Sequence, residues 1–263
     1  MDLLQSIILG LIQGTTEWLP ISSTGHLRIA EYFFGLSVPL LFDVTLHVGT
    51  LIVTLIYFRD SIKNILAALW KRDFHSEDGK LILPIIIGTI PTALIAVLIG
   101  NDLDKYFSSL LLLGAGFIAG GIVLFASKFG TARKSSMGYP EALLIGIMQG
   151  IAVIPSISRS GLTIAVALLL GIKKEVAFKF SFLLSIPAVI GALGLTLYQE
   201  QGAFSLAGIG TVEIVASLVV TVAVSFLALK LLWKTLATKK FYLFSIYCLL
   251  IGVALVILSL LGF

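Results

Sequence analysis

Six stretches of this chain, 42–58, 81–101, 108–128, 180–198, 211–236 and 241–262, are apolar over nearly their whole length. About 20 such residues cross the hydrocarbon core of a bilayer as a helix. They set the composition, which is 58% hydrophobic and 12% charged, with a mean hydropathy of +1.09. Soluble domains carry about 25% charged residues. An all-α integral membrane protein is expected, because a helix satisfies its own backbone groups in lipid. Aromatic residues mark many ends of the stretches, at Tyr57-Phe58, Tyr106-Phe107, Tyr198, Trp233 and Phe241-Tyr242, as an interfacial belt predicts. The lone Cys248 sits in an apolar run and reads as a packed core residue. "MDLLQSII" lacks the basic segment and cleavage site of a signal peptide, so no processing is expected.

Two further apolar stretches are interrupted. Residues 3–21 are broken by Gln13, Glu17 and Pro20, and residues 141–172 by Gln149, Pro155 and "SISRSG". Each half is about 10 to 14 residues, too short to span. Helix, polar loop, helix predicts a re-entrant hairpin, tolerated only where protein or a water-filled cavity covers it.

The basic residues test this topology. With six crossings and two non-crossing hairpins, one side collects Arg59, Lys63, Lys71, Arg72, Lys80, Lys128, Arg133, Lys134, Lys173, Lys174, Lys234, Lys239 and Lys240. The other side has Lys105 and Arg28, and the loop 199–210 has none. The basic side is cytoplasmic by the positive-inside rule, which puts both termini outside. The net charge of +4 therefore reports orientation and not nucleic acid, for which no partner role is expected.

Shifted by 136 residues, the sequence echoes itself. Gly10, Gln13, Gly14, Ile21, Ser22, Gly25 and Phe42 fall on Gly146, Gln149, Gly150, Ile157, Ser158, Gly161 and Phe178. The chain divides into halves 1–135 and 136–263. Each is a re-entrant hairpin (1–35 and 140–172) followed by three spans. Three is odd, so the second half enters from the opposite face. This predicts an inverted-topology repeat whose hairpin tips meet near the midplane.

The tips carry the polar groups. Glu17, Ser22, Ser23, Thr24 and His26 would face Ser156, Ser158, Arg159, Ser160 and Thr163. An ionisable group at membrane depth costs about 2.5–3.5 kcal/mol and reads as functional, with Glu17 and Arg159 as partners or Arg159 holding an anionic ligand. Hydroxyls taken alone more often only cap helices. Here "SSTGH" and "SRSG" each precede an apolar run, and the amides near Gly25 and Gly161 suit an anion. Arg159 adds a fork suited to phosphate oxygens. His26 lies one turn after Ser23, as its general base or as the nucleophile itself. Glu17 would orient His26 or hold a divalent cation. Gln13 and Gln149 read first as satisfying backbone groups at the hairpins, with Gln13 as a further ligand if it joins the site. Asp43 and His47 share a helix face in a supporting role, His75 reads as solvated surface, and Gly116-xxx-Gly120 reads as close helix packing.

These residues resemble the undecaprenyl pyrophosphate phosphatase, or bacitracin-resistance, family. Its [E/Q]xxxE signature is matched by Gln13 to Glu17 and continues into "LPISSTGHL". Its PGxSRSxxT signature is matched by Pro155 to Thr163, with Ser156 in place of the family's Gly, and "FSFLLSIPA" (180–188) is also similar. The resemblance implies removal of the terminal phosphate of a polyprenyl pyrophosphate lipid at the outer face of the plasma membrane. It implies a Mg²⁺ or Ca²⁺ requirement, and Glu17, Ser23, His26 and Arg159 as site residues. It leaves room for a homodimer. Inverted repeats equally suit a secondary transporter or lipid flippase, with the same groups as a binding cradle only.

Overall fold

The computed structural model describes residues 1–100, 109–199 and 209–262. Lys105, Tyr106, Phe107 and most of the loop 199–210 lie outside them. The first half contributes α1 (Leu3–Thr16), α2 (Ser23–Phe34), α3 (Leu40–Tyr57), α4 (Arg59–Lys71), α5 (Ile82–Gly100) and α6 (Leu110–Ala126). The second contributes α7 (Tyr139–Ile151), α8 (Arg159–Leu169), α9 (Lys174–Gln199), α10 (Thr211–Ala237) and α11 (Phe244–Leu260).

Both interrupted stretches are helix–turn–helix pairs of short elements, as their polar breaks dictate. Asp2 opens α1 with a capping box to Gln5. Ser22 and Ser158, which correspond under the shift, cap α2 and α8 by accepting from the Gly25 and Gly161 amides at 3.2 and 3.1 Å. Five of the expected spans are long and apolar enough to cross a membrane: α5, α6, α9, α10 and α11. The sixth, α3, qualifies only together with α4, from which it bends by 76°.

Helix α4 corrects the reading of 59–80 as a loop. Ile62 and Ile65 pack against the core, while Leu66, Leu69 and Trp70 are exposed beside Lys63 and Lys71. This is an amphipathic helix placed where the basic loop was expected. The aromatic belt is also revised. Phe58, Phe178 and Phe182 pack ring against ring, and Trp233 lies 5.1 Å from Phe178. Phe58 and Phe241 are buried, whereas Tyr57 and Tyr198 stay exposed.

Small residues set the helix pairs. On α1, Gly10 and Gly14 lie against the backbone of Ser217 and Thr221 on α10. Thr221 Oγ1 donates to the Gly10 carbonyl at 3.1 Å. On α7, the counterparts Gly146 and Gly150 lie against Gly88 and Ile95 on α5, and Thr92 Oγ1 donates to the Gly146 carbonyl at 2.8 Å. Both pairs run parallel. By contrast α6 and α11 run antiparallel, since Gly114 meets Gly252 while Gly121 meets Leu249 and Cys248. Gly116 does not make the expected helix contact. Its open side is filled by Ser156 and Pro155, and Gly120 has nothing nearer than 4.0 Å.

A methyl group at Gly146 would sit 2.2 Å from the Gly88 carbonyl oxygen, which is backbone and cannot rotate away. Gly146→Ala is expected to lower stability by about 1–3 kcal/mol, the usual cost of overpacking, read as a fall in melting temperature in detergent.

Candidate active site

The two hairpin tips meet, and each supplies half of a charged centre. Glu17 is the C-cap residue of α1, so its side chain leaves the helix at the turn. Ser23 and Arg159 are the first residues of α2 and α8, fixed by the caps at Ser22 and Ser158. The tips are held together by backbone approach. A methyl at Gly25 would lie 2.9 Å from Ser156 Cα, and one at Gly161 3.0 Å from Pro20 Cβ. Ser160 Oγ donates across to the carbonyls of Glu17 and Trp18, each at 3.4 Å.

Glu17 is the hub. Its Oε1 pairs with Arg159 Nη2. Its Oε2 accepts from Ser23 Oγ at 2.5 Å and from Gln13 Nε2 at 3.3 Å, and His47 Nε2 lies 3.5 Å away. The Glu17 side chain is 8% exposed and that of Arg159 20%, so each charge is the main compensation for the other's loss of water. Among the described residues, Arg159 Nη1 and Gln13 Oε1 are buried without a hydrogen-bond partner. Buried donors and acceptors are seldom left so, and each of these has capacity for a ligand.

A cavity of about 660 Å³ opens beside this centre. Glu17, Ser22, Ser23, Thr24, Ser158, Arg159 and Ser160 form its polar end, together with His47. Ala93, Ala96 and Val97 of α5 and Val189, Ala192 and Leu195 of α9 form an apolar wall. The space suits a molecule with an anionic head and a hydrocarbon tail.

Six of the expected site residues do not line the cavity. Gly25 and Gly161 face the opposite hairpin, and their amides are taken by Ser22 and Ser158. Thr163 bonds back to the carbonyl of Arg159 at 2.9 Å. Gln13 lies behind Glu17. Ser156 is 2% exposed and bonds to its neighbour's carbonyl at Pro155. His26 does not engage Ser23, and Glu17 does not orient it. Its ring bonds run to the Ser22 carbonyl and the Tyr247 hydroxyl, both at 2.7 Å. The histidine beside Glu17 is His47, read from the sequence only as support. The Asp43-xxx-His47 spacing on one face of α3 was the available signal; what it lacked was the side of α3 that meets the tip.

The backbone explains the family's glycine at position 156. Ser156 has φ +69°, the region that favours glycine, and the serine holds it at a cost of about 1–3 kcal/mol. Ser156→Gly is expected to gain about 1 kcal/mol in stability with activity kept, checked by thermal unfolding beside an activity assay.

Fold and site together define a multi-pass helical membrane protein with a charged centre where two short hairpins meet. The chain belongs to the Bacitracin resistance protein BacA family, whose sequence model matches residues 6–254. It is similar to the undecaprenyl-diphosphatase of Carboxydothermus hydrogenoformans, at 41% identity over 100% of this chain and 99% of that protein. The undecaprenyl-diphosphatases of Desulforapulum autotrophicum and Methanosphaera stadtmanae are 39% and 37% identical, each over 98% of this chain, and 98% and 99% of their own length is covered.

Proposed function

We propose that this protein is an undecaprenyl-diphosphatase that removes the terminal phosphate of undecaprenyl pyrophosphate, recycling the carrier lipid for cell-wall synthesis and conferring bacitracin resistance. The observation that carries the reading is the guanidinium of Arg159. One nitrogen is spent on Glu17 and another is buried without a partner, on a residue that lines the cavity together with a serine hydroxyl bonded to a carboxylate. A phosphate oxygen is the acceptor that completes such a donor.

In the mechanism, Arg159 holds the pyrophosphate and the apolar wall takes the first part of the tail. Ser23 Oγ attacks the terminal phosphorus while its proton passes to Glu17 Oε2, 2.5 Å away. The bond from phosphorus to the bridging oxygen breaks, and undecaprenyl phosphate leaves with that oxygen. Glu17 yields its proton to the departing phosphate and is a carboxylate again. It then takes a proton from the water that attacks the phosphoserine and passes it to Ser23 Oγ as the bond from Oγ to phosphorus breaks, and inorganic phosphate departs. Charge stabilisation by Arg159 supplies the largest share of the rate. Glu17, with the Gln13 side chain behind it, would hold a Mg²⁺ or Ca²⁺ ion, which would offset phosphate charge.

The site opens to the outer face of the plasma membrane, with both termini outside. In support, α5 and α9 follow the basic segments 59–80 and 173–174, and the cavity lies along their later halves. The inverted repeat is supported by direction. The equivalent helices α6 and α11 are antiparallel, while the equivalent pairs α1–α10 and α7–α5 are each parallel.

The test is phosphate release from a prenyl pyrophosphate by the purified protein with Mg²⁺ or Ca²⁺. Cation-dependent release is expected. Lipid binding without release would transfer the site to the transporter reading.

A further inference from the structure

His26 is the one ionisable tip residue that stands outside the cavity. Its surroundings are a small cage between α2, α6 and α11. The ring stacks on Tyr247 with centroids 5.7 Å apart at 10°, and meets the edge of Phe117 at 5.3 Å and 87°. Both ring nitrogens are engaged. A carbonyl can only accept, so Nδ1 carries the proton and donates it to the Ser22 carbonyl. That leaves Nε2 as the acceptor, and it takes the Tyr247 hydroxyl. The lone pair that a general base would use is therefore spent on α11, away from Ser23.

The group that His26 holds is unusual. Ser22 has φ +68° and ψ +104°, outside the regions that a serine ordinarily occupies. Such a conformation persists only when its surroundings over-determine it. Three contacts do so: the His26 amide on the Ser22 carbonyl at 3.3 Å, the His26 ring on the same oxygen, and the Gly25 amide on the Ser22 hydroxyl. Ser23 is the next residue, and its hydroxyl must reach Glu17.

We infer that His26 is a positioning residue for the hydrolysis proposed above, on which this inference rests. It fixes the left-handed Ser22 and thereby aims Ser23, with Tyr247 as its anchor on α11, and it transfers neither a proton nor a phosphoryl group.

Asparagine separates the roles, because its side-chain amide overlays Nδ1 and keeps the donor to Ser22 while offering no imidazole. His26→Asn is expected to lose about tenfold in kcat with the shape of the pH profile unchanged, and His26→Ala more than a hundredfold. Tyr247→Phe, which keeps the stack and loses one bond, is expected to lose less than His26→Ala, in kcat and not in KM. Folded His26→Asn as inactive as His26→Ala would overturn the inference and restore a base or nucleophile. Hydrogen exchange at the Gly25 and His26 amides decides the matter independently of catalysis. Faster exchange in His26→Ala than in His26→Asn is expected, and equal exchange in both would overturn the positioning role. Absence of phosphate release by the unmodified protein would instead sink the phosphatase reading, and the exchange comparison would still stand.

Discussion

Arg159→Lys is expected to lower kcat for phosphate release about 100-fold or more, and Arg159→Ala about 1,000-fold or more. The guanidinium performs two tasks in different directions, one nitrogen on Glu17 and another unpaired. An ammonium is a compact charge on a flexible stem, so it serves one task at the expense of the other. Arg159→Ala adds a second fault, because it leaves the carboxylate of a side chain that is 8% exposed without its cation. Breaking a buried pair by removing one partner costs about 3–5 kcal/mol. A depressed melting temperature should therefore accompany the lost activity in Arg159→Ala, and much less so in Arg159→Lys. Steady-state kinetics with thermal unfolding on each variant checks both. Near-normal turnover by Arg159→Lys would remove the guanidinium from the phosphate site.

The second large effect belongs to Ser23 and Glu17, and the two substitutions should part company. Ser23→Ala removes the oxygen proposed to attack, so turnover should fall to background while the Glu17–Arg159 pair persists and stability stays near that of the unmodified protein. Glu17→Gln has the same shape but neither the charge nor the basicity, and should lose about 100-fold to 10,000-fold in rate and lose stability as well. Acid-quenched reactions with labelled substrate would show phosphoserine in the unmodified protein and none in Ser23→Ala. A phosphoenzyme that survived Ser23→Ala would assign the nucleophile elsewhere.

Much of this was legible in the chain. The breaks at Glu17-Pro20 and Pro155-Arg159 announced two hairpins, and the 136-residue echo announced that their tips belong together. The pairing of Glu17 with Arg159 followed from the cost of leaving either alone in lipid. Other features were hidden for identifiable reasons. Helix α4 reads as a basic loop when only its charges are counted, although Ile62, Ile65, Leu66 and Leu69 follow a helical stripe. His26 was expected beside Ser23 because one turn separates them in sequence, but the Ser23 hydroxyl turns to Glu17 while the His26 ring turns to the Ser22 carbonyl and to Tyr247. His47 lies on another helix, and spacing says nothing about which side of α3 meets Glu17.

The pairing of helices also constrains how the protein is made. Thr221 bonds to Gly10 across 211 residues, and α7 closes on α5 of the other half. The first helix of each hairpin finds its closest partner in the other half. During synthesis the glycine face of α1 waits until α10 emerges before it is covered. Assembly is thus all-or-none with respect to chain length, and contacts so distant in sequence form slowly. A ribosome that stops before α10 releases a chain in which the glycine face of α1 stays uncovered. Conversely, the two halves expressed as separate polypeptides carry complementary vacancies, and each is the other's missing scaffold.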